Sequence, residues 1–255
     1  MTNIIPLDRR RLLTLLAAGG LVGACTENAA TGRRQFMLVS DEQLAELSAQ
    51  AWRDAVTQLP RSTDAGLQAR LAKVGGAVAE ASGRTEMDWE FVVFEDPRIN
   101  AFVLPGGKVG FFSGLLDFAG DDDQIGAVMG HEAGHVVARH AAERVSQQLA
   151  TQVGVAIAEA ALSEEYGENA GAIAGALGAG VMYGVILPYS RKHEFEADAL
   201  GVGLAARAGL DPAGAPRFWE RMLAQGKDSQ VPAFLSTHPA DSDRLARLRD
   251  VVAKA

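Results

Sequence analysis

The chain has 255 residues, 48% of them hydrophobic and 22% charged, which suits a soluble globular protein of one sizeable domain, or a domain with an appended tail. Its formal net charge of −8 argues against nucleic acid as the main partner, and it carries no Gly-rich phosphate loop and no basic-aromatic patch.

Residues 1–24 read as an address rather than as fold. Arg9-Arg10-Arg11 is a basic start and Leu12 to Val22 an apolar run too short for a membrane span. Val22-Gly23-Ala24-Cys25 follows, small residues before the single cysteine of the chain. This resembles a bacterial lipoprotein signal, which implies cleavage before Cys25 and a lipid on it. Thr26 stands where an Asp often signals inner-membrane retention, so the expected location is periplasmic, anchored to the outer rather than the inner membrane. Residues 25–39 lack periodicity and are expected to be a tether.

The folded domain is expected over 40–255. Ser40 to Gln43 forms a capping box for a helix carrying Leu44, Leu47, Trp52 and Val56. A second helix is expected from about Asp64 to Ala81. The period then changes: Trp89–Phe94, Ile99–Leu104 and Lys108–Phe112 read as short strands punctuated by Pro97 and Pro105-Gly106-Gly107. An edge of this small sheet can receive a peptide backbone by strand addition, with Asn100, Ala101 and Phe102 as the receiving stretch.

Asp121 caps the next helix, which contains His131-Glu132-Ala133-Gly134-His135. Histidines four apart lie one above the other on a helix face and can hold a divalent metal from one side. Glu132, rotated about 100°, can reach a water on that metal and act as general base. With five His in the chain, chance would give on the order of 0.01 such motifs. The helix is expected to run, with breaks, to about Leu162. A loop over 163–169 follows, then Ala170 to Tyr189, twenty residues without a charge, long enough for a membrane span but rich in Gly and read in preference as a buried helix of small residues against the metal helix. Ser190 to Ala208 is a partner helix, Pro212 to about Gln225 another, 226–240 a loop, and Asp241 caps a last amphipathic helix.

A catalytic zinc takes three protein ligands and keeps one position for water. Candidates for the third are His140, His193, Glu194, Glu196, Asp198 and His238. On a continuous helix His140 falls on the wrong face. Glu194 and Asp198 share a face, so one can bind metal while the other accepts the N–H of a ligand histidine. Glu196 points away from that face, towards solvent. His238, in a Pro-flanked loop, can serve catalysis by stabilising an oxyanion, or can plug the fourth metal position.

The H-E-x-x-H motif followed by Glu194-Phe195-Glu196-Ala197-Asp198 resembles the zinc metallopeptidase family of HtpX and the CAAX prenyl endopeptidases, of gluzincin type, in its exported lipoprotein branch. Asn100 to Gly107 is similar to the family's substrate edge, and Ser236-Thr237-His238-Pro239 to its C-terminal loop. The resemblance implies one zinc per chain on His131, His135 and Glu194, Glu132 as base and Asp198 behind the ligands. It also implies a mostly α fold with a small β-sheet (α+β) and paired active-site helices. The expected function is a zinc metalloendopeptidase cutting envelope proteins in quality control, with protein or peptide substrates as partners. The alternative is a chaperone-like binding protein with a zinc kept for structure, against which an intact Glu132 argues.

Overall fold

The computed structural model describes residues 25–150, 190–228, 233–239 and 241–255. The loop expected at 163–169 and the uncharged helix at 170–189 lie outside the described residues, as does the leader. In chain order the elements are β1 (Cys25–Asn28), β2 (Arg33–Phe36), α1 (Asp41–Gln58), α2 (Ala65–Ala81), β3 (Glu90–Phe94), β4 (Ala101–Leu104), β5 (Lys108–Phe112), α3 (Ser113–Ala119) and α4 (Asp122–Val137). A helical stretch over 140–150, here α5, is followed by α6 (Arg191–Arg207), α7 (Gly214–Asp228), α8 (Ala233–Thr237) and α9 (Ser242–Val252). The fold is mostly helical with small sheets, as expected. Among the described residues no helix is long and apolar enough to cross a membrane.

The caps form where the sequence offers them. Ser40 and Gln43 close a reciprocal capping box on α1, and the side chains of Asp64, Asp121, Ser190 and Asp241 each accept from first-turn backbone N–H groups. β5 is the central strand of its sheet, parallel to β3 and antiparallel to β4, which leaves β4 on an edge. Val93, Val109, Phe111, Leu115 and Met129 bury this sheet against α2, α3 and α4, and Phe218, Trp219 and Phe234 extend the core under α7 and α8.

The expected tether is a correction. Residues 25–36 form an antiparallel hairpin, Cys25 opposite Phe36 and Asn28 opposite Arg33, turned through Gly32 at φ +63°. Its inward side chains are polar: Asn28 and Gln35 are buried, and Gln35 Nε2 donates to Ala138 O at 2.7 Å. A hairpin held by polar groups has no apolar alternation for a sequence reading to detect. The expected loop at 226–240 is also corrected, because α7 runs to Asp228 and α8 forms over Ala233–Thr237.

The two helices that carry the motifs cross antiparallel at their small residues. A Cβ on Gly130 would lie 2.7 Å from Gly201 O, and one on Gly134 would lie 2.6 Å from Ala197 O. Only glycine permits that approach, and it brings the faces bearing His131 and His135 against Glu194 and Asp198. Gly201→Ala places its Cβ 2.7 Å from His131 N. That overpacking is expected to cost about 1–3 kcal/mol in urea denaturation. Gly76→Ala is the control: it lies inside α2, its Cβ meets nothing within 4 Å, and it should be neutral or stabilising by up to about 1 kcal/mol. Equal effects of the two changes would contradict the close helix contact.

Candidate metal centre

Four buried side chains converge from three elements. His131 and His135 come from α4, Glu194 from the first turn of α6, and His238 from the residue after α8; their ligand-type atoms all lie within 4.8 Å of one another. His131 Nε2 is 3.1 Å from His135 Nε2 and 3.1 Å from His238 Nδ1. The Glu194 oxygens stand 3.4 Å from both α4 histidines and 3.3 Å from His238 Nδ1. Both oxygens are buried and accept no hydrogen bond. Arg244 Nη1 is 2.6 Å from Oε2, a charge contact outside hydrogen-bond geometry. Three ring nitrogens facing a carboxylate hold too few protons to join one another. A divalent cation satisfies all four at once, and nitrogen–oxygen sets of this kind suit zinc.

The electrostatics agree. Burial would lower His131, but Asp198 and Glu194 outweigh it and raise it to about 9. Burial holds His135 well below its ordinary value despite Glu194. Burial would raise Glu194, yet His131, His135 and His238 hold it well below the usual carboxylate range. The protein thus keeps an anionic carboxylate amid imidazoles, and a proton on His131 occupies the role a metal would take over.

Behind this group the ligand candidates are held in turn. His131 donates from Nδ1 to Asp198 Oδ1 at 2.8 Å, which leaves Nε2 for the centre. Arg244 grips Asp198 with Nε at 2.7 Å and Nη2 at 2.9 Å, and its guanidinium lies 4.0 Å over the Trp219 ring. Arg244 and Trp219 went unnoticed in the sequence. Arg244 reads there as an ordinary charge in the first turn of an amphipathic helix, and only the tertiary fold buries it.

Glu132 is buried beside the centre, with Oε1 lacking a hydrogen-bond partner and 3.2 Å from His238 Nε2. Burial raises its carboxyl above the ordinary value, against the pull of His238 and His131. His238 donates its backbone N–H to Phe234 O at 2.9 Å, and its ring stacks on Phe234 at 4.5 Å between centroids.

Three other candidates stand apart from the centre. His193 meets Glu143 at 3.2 Å instead. His140 is fully buried, and its Nδ1 is 2.9 Å from His135 Nδ1, which a continuous helix would forbid. The helix in fact stops at Ala138, and Arg139 at φ +56° turns the chain before α5 begins. Glu196, expected in solvent, is mostly buried and accepts from His140 Nε2 at 2.9 Å and from Arg33 Nε at 2.7 Å. Burial would raise its carboxyl, but those two partners lower it to about 2.

Asn100, Ala101 and Phe102 lie at the β4 edge. A cleft of about 310 Å³ runs there between Asn100, Phe102, Val103, Glu132 and His238. A second, of about 300 Å³, lies beyond Val103 and Pro105, against Met87, Arg139 and His135. The outer edge of β4, which pairs with no strand among the described residues, is therefore flanked by two hollows that both reach the centre.

Residues 65–252 match the model of peptidase family M48. The chain is 34% identical over 186 residues to the mitochondrial metalloendopeptidase OMA1 of Schizosaccharomyces pombe, covering 72% of this chain and 53% of that protein. It is 30% identical over 239 residues to the human mitochondrial metalloendopeptidase OMA1, covering 88% and 45%. To the β-barrel assembly-enhancing protease of Escherichia coli it is 30% identical over 195 residues, covering 75% and 40%. The chain spans about half the length of the curated relatives it matches, or less. With a match this long across the helices that hold the centre, the chain belongs to peptidase family M48.

Proposed function

We propose that the chain is a zinc metalloendopeptidase, with one zinc on His131, His135 and Glu194 and Glu132 as general base. The observation that carries this reading is the buried convergence of His131, His135, Glu194 and His238, with both Glu194 oxygens lacking a hydrogen-bond donor, beside an equally buried Glu132. Zinc bound there would polarise a scissile carbonyl and acidify a water. Glu132 takes the water's proton and delivers it to the leaving amine, and a carboxyl raised by burial is suited to both steps. Asp198 fixes the His131 tautomer through its 2.8 Å contact, and Arg244 fixes Asp198. A substrate strand adds to the β4 edge at Asn100, Ala101 and Phe102, its side chains entering the two flanking hollows.

His238 has two candidate roles with opposite signs, and its position favours the plug. Nδ1 turned into the donor group and Nε2 against the Glu132 oxygen block both the fourth position and the base. His238→Ala should then raise basal hydrolysis of an unfolded protein while zinc is retained. A fall of about 10²-fold with zinc retained would make His238 an oxyanion stabiliser instead.

The leader over 1–24 and a lipid on Cys25 remain our reading of the N-terminus, supported by an exposed Cys25 at the start of β1. Anchored there, the enzyme would face envelope proteins, and quality control of that compartment fits a relative named for β-barrel assembly. X-ray absorption at the zinc edge tests the centre. The account predicts one zinc per chain with nitrogen and oxygen neighbours. Sulfur neighbours would move the metal to Cys25.

A further inference from the structure

We propose that His140 is a positioning residue for His135, and that Arg33 of the β1–β2 hairpin fixes it through Glu196. The inference rests on His135 being a metal ligand, as above. With Nε2 of His135 turned into the donor group, its ring proton sits on Nδ1. That nitrogen is 2.9 Å from His140 Nδ1, which must offer a lone pair and therefore carries its own proton on Nε2. The opposite tautomer would set two N–H groups head to head. His140 Nε2 is 2.9 Å from Glu196 Oε2, an acceptor that selects the required tautomer.

Glu196 is in turn held from outside the two motif helices. Arg33 donates to it from Nε at 2.7 Å and from Nη2 at 3.0 Å. The same guanidinium donates to both oxygens of Glu143 at 2.7 and 2.6 Å. Glu143 also accepts from Gln35 at 3.0 Å and meets His193, whose ring stacks on His140 at 4.4 Å. One half-buried cation thus joins two carboxylates, one from α5 and one from α6, and the donors run outward from His135 through His140 to Glu196, which Arg33 holds from the far side. Buried ion pairs are a weak source of stability, so packing gives little reason to keep this one. Orientation of a ligand imidazole does give a reason, and such outer partners typically contribute 10–100-fold in metal affinity. The hairpin that follows Cys25 thereby becomes part of the metal centre.

The test is the zinc dissociation constant of the purified chain, by competition with a chelator, alongside the urea midpoint of the metal-free chain. His140→Ala should weaken zinc about 10–100-fold. His140→Asn, whose amide oxygen can accept from His135, should recover most of that loss. Arg33→Met should weaken zinc in the wild-type background and add little in the His140→Ala background, since both act through one path. Should His140→Ala fail to fold, Arg33→Met against Arg33→Lys carries the test, Lys keeping the charge but not the paired donors. Zinc affinity unchanged in these variants, whatever the urea midpoint, overturns the proposal, and so do losses that multiply in the double variant. A wild-type chain that binds no zinc at all would instead overturn the metal reading on which the proposal rests.

Discussion

Glu132→Gln is expected to keep the fold and the zinc and to lose turnover by about 10²–10⁴-fold, the usual contribution of a general base. The amide is nearly the same shape, so the buried site at α4 keeps its packing. What it loses is an oxygen able to take a proton. Glu132 is well suited to that step, since burial raises its carboxyl above the ordinary value while His238 and His131 keep it from rising further. The loss should fall on kcat with KM little changed, because a general base acts on the reacting water and not on the bound strand of a substrate. Steady-state hydrolysis of a peptide by zinc-loaded variant and parent gives the answer. A variant that cuts at the parent's rate would remove Glu132 from the chemistry.

Glu194→Ala is expected to abolish stoichiometric zinc binding, a larger loss than the 10–100-fold typical of an outer partner. Glu194 is the one anionic group among three imidazoles, with both oxygens buried and accepting no hydrogen bond. Its removal also leaves Arg244, 3% exposed, with Asp198 as its remaining close carboxylate. The metal-free variant should therefore unfold at lower urea than the parent. Glu196→Gln is the contrast: its carboxylate faces His140 and Arg33, and the amide oxygen can still accept from His140. Equilibrium dialysis against zinc separates the two. Full occupancy in Glu194→Ala with loss in Glu196→Gln would exchange their roles.

How much of this was legible beforehand follows from what kind of signal each feature leaves. Caps, strands and the H-E-x-x-H helix are local, and Ser40, Asp64, Asp121, Ser190 and Asp241 each sit where the pattern put them. Glu194 and Asp198 were legible as a pair because four residues make one helix turn. His140 is not among the ligand group, as its spacing implied, but its contact with His135 was not legible, because an unbroken helix would keep the two apart and a single residue at positive φ, Arg139, breaks it. Nothing in Ala138-Arg139 announces a break. Arg33, Gln35 and Arg244 carry no periodic signal at all, since they are polar groups that segments distant in the chain cover, Gln35 and Arg244 fully and Arg33 in part. The hairpin was invisible for the same reason.

The most direct measurement of the central claim is digestion of casein by the purified chain, stripped with a chelator and then resupplied with zinc. The account predicts that stripping abolishes cleavage, that about one equivalent of zinc per chain restores it, and that Glu132→Gln takes up the same zinc without cleaving. A stripped chain that digests casein as fast as the zinc-loaded one would contradict it.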